Sequence, residues 1–529
     1  MRFITRATIG LVAVAAFFIP ATAASADPAF CGQVVTTPDT TVTLTGNLYC
    51  DGTAITIAAD NVTLDLAGHT IKGGTADART ITGLDPRYGG YARGVYVVGA
   101  SGTRITGGTI RGYDAGVVAD HARSTVLEGV AIDNPGTWGV WASDGVGLAV
   151  VNSTITGPWT PGDAVDMGDG LYPQAGIDVR DSSDVRVLDS TITAMRGNGV
   201  FTQRVGGLTI SGTYAVNNAG DGIQSWTTSG VFRVLQSTVS GNEIGLEADH
   251  FASGSSITLD TVTVSANREY GVWITDLRRA TLTNVDSHDN GLVGIWLSAG
   301  IDAETGTTVS FAATIRDSQA YNNGYDGIAL DGAGPWILSG NAASSNTGEG
   351  FYLGGGRLTS SNNSAHGNGR NGFLFDTGTT GTSSTDSSAK NAGDGFRVNT
   401  GPGNTVTLTD ATSTSGRAYG MFVNSGVAYA SGGSYSYNAR DGIRAGANGT
   451  AHLSYTTTNK NGNNGVAFAA ASAGWAYKIT ASSNGRYGLC TDPAASYTNY
   501  PTHTLTFNSA GATGHACDGY VFPYWWYRP

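Results

Sequence analysis

The densest group of titratable side chains in the sequence is Gly245-Leu246-Glu247-Ala248-Asp249-His250. On an extended strand, Glu247 and Asp249 share one face with Cα atoms about 6.6 Å apart. Two carboxylates that close resist ionising together, so one is held protonated as an acid while the other serves as a base. A spacing of roughly 6.5–9.5 Å suits inverting glycoside hydrolysis, in which a water stands between base and sugar. Asp178, with Arg180 two residues on, is a third candidate. By strand spacing it lies about 14 Å from Glu247, which makes it a subsite group rather than a direct partner. Asp221 is a further candidate for the second acid, although Asp-Gly recurs at Asp326, Asp394 and Asp441, which also reads as turn structure.

These side chains need a scaffold that repeats. A glycine followed by apolar residues at +1 and +3 recurs seventeen times from Gly94 to Gly488, and twelve of the sixteen intervals are 22 or 23 residues. A period of that size marks a solenoid whose units bury a core only against their neighbours. The period-2 alternation after each glycine, as in Val95/Val97, Leu246/Ala248 and Phe373/Phe375, predicts a short strand with one buried face. Further alternation in each unit predicts two or three strands per coil, and stacked strands are then parallel. Asparagine stands four residues before the glycine in ten units, including Asn218, Asn267, Asn290 and Asn461, which predicts a ladder of amides along the stack.

Outward positions +2 and +4 then form a second register. Between Gly139 and Gly294 they bear Trp141, Asp178, Arg180, Gln203, Gln224, Trp226, Glu247, Asp249, Trp273 and Trp296. Coils stack about 4.8 Å apart, so these residues, with His250, line a groove suited to a chain of sugars. Aromatic faces stack on the rings while amides and carboxylates bond the hydroxyls. Two long intervals flank it and predict projecting loops, one at Gly157–Gln174 with Trp159, Asp163, Asp166, Asp169 and Tyr172, the other at Gly300–Val309 with Asp302 and Glu304.

The Gly/Thr/Ser/Asn enrichment and the repeated Gly-Ile/Val/Phe strands resemble the right-handed parallel β-helix superfamily of pectin lyases, polygalacturonases and alginate epimerases. Cys31 to Gly73, with Ala59-Asp60-Asn61-Val62-Thr63-Leu64-Asp65-Leu66, resembles the opening coil of secreted members and of the periplasmic NosD-like proteins. The resemblance implies a single right-handed parallel β-helix over 27–529, with a cap coil at 31–73 and an aromatic C-terminal cap at 490–529. Alginate epimerases carry Gly-Phe-Asp-Pro-His with catalytic Asp and His at +2 and +4. Here Glu247 and Asp249 hold those places and the histidine is displaced by one to His250. The Asn-Thr-Asp, Gly-Asp-Asp and Gly-His-Gly motifs of polygalacturonases are absent. A lyase needs cations or Ca²⁺ to neutralise a uronate, yet none of the four lysines (Lys72, Lys390, Lys460, Lys478) lies on the groove. Hydrolysis without a cofactor is therefore the expectation, a lyase or epimerase second, and a non-enzymatic surface or copper-maturation role third, without a Met/His/Cys cluster to support it.

Residues 1–26 carry Arg2 and Arg6, an apolar run from Ala7 to Ile19 and Ala24-Ser25-Ala26, the pattern of a cleaved secretory leader. The chain has 29 Lys and Arg against 41 Asp and Glu; without Arg2 and Arg6 the balance is 27 against 41, a net charge of −14. That argues against nucleic acid or an anionic membrane as partner, and for a secreted monomer acting on a polysaccharide. The four cysteines fall in two end pairs, Cys31 with Cys50 and Cys490 with Cys517, whose spacings match no zinc pattern and predict disulfides pinning the terminal coils.

Overall fold

A computed structural model describes residues 27–74, 91–160, 174–252, 254–276, 278–300, 310–500 and 502–517. The leader, most of both projecting loops (with Asp163, Asp166, Asp169, Tyr172, Asp302 and Glu304) and the aromatic run Tyr520–Tyr527 lie outside the described residues.

The described residues contain strands and no helix, joined in one 53-stranded sheet. The chain winds into a parallel β-solenoid of about 19 turns. A full coil has three strands. In one coil these are Ala175–Arg180, Ser183–Leu188 and Thr191–Thr193, and each pairs in parallel with its counterpart in the next coil. They define a first, second and third strand column along the molecule.

The alternation read from the sequence sets which side chains face inward. Ile223, Leu246, Val272 and Ile295 stack in register at +1 and are fully buried. Farther along, Phe351, Phe373 and Phe396 stack face to face at centroid separations of 4.6 and 5.0 Å. The register glycine is required by close approach. A Cβ on Gly245 would stand 2.5 Å from the carbonyl oxygen of Gly271 and 2.7 Å from Asn267 Nδ2.

The asparagines form the expected ladder inside the turn before the first column. Asn267 donates its backbone N–H (3.1 Å) and Nδ2 (2.9 Å) to Asn290 Oδ1, and Asn323 repeats the pair of bonds to Asn346. Asn242, one residue off the expected offset, joins it between Asn218 and Asn267. Both cysteine pairs are bonded, with Cα–Cα separations of 5.4 and 5.5 Å.

From the strand Ala115–Asp120 to Val272–Ile274 the first column is followed by corner residues in the left-handed region. The column of corners runs His121, Asp144, Asp181, Arg204, Thr227, His250 and Asp276, with φ from 48° to 57°. Asp, Asn and His tolerate this conformation better than most side chains, and it turns each corner residue toward the neighbouring coils rather than straight out from the strand.

Candidate functional site

The central part of the first column places Glu247 and Asp249 side by side on one strand, as the spacing predicts, both half-buried. Glu247 is held from two sides. Gln224 Nε2 donates to its Oε2 at 2.5 Å, and Gln224 is itself fixed by Asn198 Nδ2 at 2.7 Å. On the other side stands Asp221. Burial pushes the Asp221 carboxyl well above the ordinary carboxylate range, and its hydrogen bond to Glu247 and the charges of Glu247 and Glu243 push the same way; the bond from the Ile244 N–H opposes them. Asp221 and Glu247 thus form a pair in which holding a proton on Asp221 is favoured. The backbone N–H of Asp221 is anchored on Asn198 Oδ1 at 2.8 Å, so one asparagine positions both arms.

Asp249 belongs to a second group. Thr275 Oγ1 donates to its Oδ1 at 2.5 Å, and His250 Nδ1 lies 2.8 Å from its Oδ2. Across the ring, His250 Nε2 is 3.7 Å from Asp276 Oδ2. Burial first, then the charge of Asp249, raises the Asp276 pKa. One ligand atom from each of Asp249, His250 and Asp276 fits within 4.8 Å of the others, a set able to hold a divalent ion. Thr275, an outward +4 position, and Asp276, at the corner after it, were not among the expected site residues.

The aromatic residues divide. Trp273 and Trp296 are half-buried and stack at 6.3 Å, with Tyr270 at 5.2 and 5.4 Å from the two rings. Trp226 is half-buried and meets Phe201 edge-on at 5.5 Å. Gln203 is half-buried beside it. Trp141, Asp178 and Arg180 differ from the expectation of an open face: they point outward but are 1, 0 and 7 % exposed. Trp141 belongs to a second apolar cluster with Tyr91, Val118, Trp138 and Phe201. Asp178 receives Arg180 Nε and Nη2 at 2.9 Å each, a bidentate pair that consumes the charge of both, while the guanidinium lies over Phe201. The solvent-open groove therefore begins at Gln203, not at Trp141.

Half of this arrangement occurs twice. Gly245-Leu246-Glu247-Ala248-Asp249-His250 and Gly271-Val272-Trp273-Ile274-Thr275-Asp276 are matched by Gly116-Val117-Val118-Ala119-Asp120-His121 and Gly139-Val140-Trp141-Ala142-Ser143-Asp144. In the earlier copy His121 Nδ1 lies 2.7 Å from Asp120 Oδ1, and Asp120, His121 and Asp144 again bring ligand atoms within 4.8 Å. The proton-holding pair is not repeated. Val118 stands where Glu247 does, and Arg93, lying 4.6 Å over the Tyr96 ring, stands where Asp221 does.

A family model described as "right handed beta helix region" matches residues 93–250 and 247–434. Similar solved structures include the Dettilon tailspike protein (14% identity, 66% of this chain and 59% of that one, TM-score 0.33). Pectate lyase Pel9A aligns at 15% identity over 56% and 68% of the two chains, TM-score 0.30. PfbA, a surface adhesin of Streptococcus pneumoniae, aligns at 9% identity over 73% and 82%, TM-score 0.31. The chain thus spans well under two thirds of the tailspike it resembles. No curated protein sequence matches it.

Proposed function

Because the chain belongs to the right-handed β-helix family, a fold that presents one strand face as a continuous groove, we propose that it is a polysaccharide-active enzyme, and specifically a glycoside hydrolase. The observation that carries this reading is the Asp221–Glu247 pair two residues from Asp249, beside the stacked Trp273 and Trp296. Burial keeps a proton on the pair. Glu247, the half-buried member, delivers it to the glycosidic oxygen as the bond to the anomeric carbon breaks. Asp249, fixed by Thr275 and backed by His250, takes a proton from the water that attacks that carbon. Trp226, Trp273 and Trp296 stack on flanking sugars, and Gln203 and Gln224 bond their hydroxyls. Asp178 and Arg180, locked to each other, support the strand upstream of Gln203. The bonded cysteine pairs fit export to an oxidising compartment.

A second reading, polysaccharide lyase, draws on the Asp249–His250–Asp276 group, which would hold a Ca²⁺ able to neutralise a uronate carboxylate. The two chemistries leave different products. Screening a panel of neutral and acidic polysaccharides should give new reducing ends without ultraviolet absorbance from an unsaturated sugar. Absorbance growing in step with chain cleavage would replace hydrolysis by elimination, and no cleavage of any polymer would remove the enzymatic reading.

A further inference from the structure

The last coils differ in charge from the rest of the chain. Between Asp441 and Asp492 there is no acidic residue, while Arg444, Lys460, Lys478 and Arg486 fall in that stretch of a chain whose overall charge is −12. Two of the four lysines are here, and both flank the third strand column rather than the groove, Lys478 at the corner before it and Lys460 at the corner after it.

That column forms a shallow trough. Its floor is the strands Thr457–Asn459, Thr480–Ser482 and Thr504–Thr506. Thr458 and Ala481 point into the core, so the residues on either side of each present hydroxyl and amide groups outward. One edge is a line of aromatic rings carrying an ammonium, and the other is a single ring carrying a second one. On one edge Tyr455, Tyr477 and Tyr500 meet edge to face at 5.6 and 6.1 Å, and Lys478 Nζ lies 5.3 and 5.1 Å over the Tyr455 and Tyr477 rings. On the other edge Lys460 Nζ lies 5.1 Å over Tyr437 and donates to its hydroxyl at 3.0 Å. Tyr437, Tyr455 and Tyr500 are 55, 57 and 45 % exposed. The corners are five residues apart, about 16 Å of extended chain.

The exposed Tyr455 and Tyr500, with the half-buried Tyr477 between them, form an aromatic surface over three coils larger than scattered apolar residues would give. They offer faces for sugar rings, the floor offers partners for hydroxyls, and the ammoniums add a charge opposite to that of the rest of the molecule. We propose that this trough binds an anionic polysaccharide chain, at a site separate from the groove. It lies on another strand column and nine coils away along the axis, roughly 43 Å. The ammoniums pair with the carboxylate or sulfate groups of the chain while the tyrosines stack on its rings. The site would hold the protein on an acidic matrix while the groove works elsewhere.

Affinity electrophoresis tests this with native gels cast with polygalacturonate, dextran sulfate or neutral dextran. The intact protein should be retarded by one of the acidic polymers and not by dextran. Lys460→Gln/Lys478→Gln and Tyr455→Ala/Tyr477→Ala should each weaken retardation about tenfold with melting temperature unchanged. Glu247→Gln should migrate like the parent, which keeps this outcome independent of the catalytic proposal. Unretarded migration in both acidic gels would overturn the site, as would variants retarded as strongly as the parent. Equal retardation by duplex DNA that survives Tyr455→Ala/Tyr477→Ala would show bare polyanion adsorption and overturn it as well. Loss of retardation in Glu247→Gln alone would move the binding to the groove.

Discussion

Two stretches of the first column, His121 with Asp144 and His250 with Asp276, carry the same aspartate, histidine and aspartate at matching positions, yet they differ in the partner carboxyls and the burial around that triad. At the central copy Glu247 is half-buried against Asp221, whose carboxyl burial pushes toward the protonated form. At the earlier copy the equivalent places hold Val118, which is fully buried, and Arg93. Trp273 stands in an open stack, whereas its equivalent Trp141 is buried with Phe201 and Val118. A shared triad is therefore not what distinguishes the two coils. The distinguishing features are a second carboxyl whose pKa burial raises and an aromatic stack that is only half-buried.

The sharpest way to break this contrast is to exchange the residue that separates the copies. Glu247→Gln removes the proton donor and should lower turnover by about 10² or more with the fold intact, as for loss of a general acid. Asp120→Asn should leave turnover within about twofold, and a comparable loss in both would make the copies functional equals. The reciprocal change concerns stability. Val118→Glu puts an unpaired charge among Trp141, Trp138 and Phe201 and should cost about 3 kcal/mol or more in chemical denaturation, while Glu247→Val should cost far less.

The tryptophans sharpen the comparison at smaller amplitude. Trp141→Ala should destabilise by about 3–5 kcal/mol as a cavity in a packed cluster. Trp273→Ala should leave stability nearly unchanged and weaken oligosaccharide binding about tenfold, read by titration calorimetry. Weakened binding from Trp141→Ala without a stability loss would place the substrate at the earlier copy.

The smallest expected effects concern pH. Asp221 has its pKa raised in the folded protein, so activity that needs its proton is present at acid pH and falls as pH rises through the raised value. Asp221→Asn should move that fall to lower pH, and an unmoved profile would exclude the pair as the acid. Asp326 and Glu349 occupy the same column position as Asp221, and burial pushes their pKa values up to about 6 and about 7. A folded pKa above the unfolded one adds stability that is complete below the unfolded pKa near 4 and is lost as pH rises through 6 to 7. The melting temperature should therefore drop between pH 4.5 and 8, and Glu349→Gln should flatten the drop.

The fold was legible because its signals repeat: each glycine, each +1/+3 pair and each asparagine is tested again in the next coil, and an error in one unit is outvoted. The site depends on features that occur once. Glu247 and Asp249 were readable from strand parity, but Asp276 was missed because the corner column obeys turn geometry rather than alternation. Asp221 looked like a turn residue, and it is one; only its burial against Glu247 gives it further chemistry. The cover over Trp141 and Asp178 was invisible for a different reason. Parity tells which way a side chain points, not what lies above it.

The amide ladder has a consequence for distance. Because parallel pairing joins coil to coil, reinforced by the asparagine bonds from Asn218 to Asn391 and from Asn438 to Asn508, the stack behaves as a graduated ruler whose marks are about 4.8 Å apart. Any two features on it are separated by a whole number of marks: five, or roughly 24 Å, between the two triads. The interval can change only by whole coils, and each coil carries its own outward residues with it: the one from Gly199 to Asp221 holds Gln203, Asn218 and Asp221. Spacing along the axis is thus set in fixed increments by the number of coils between two features.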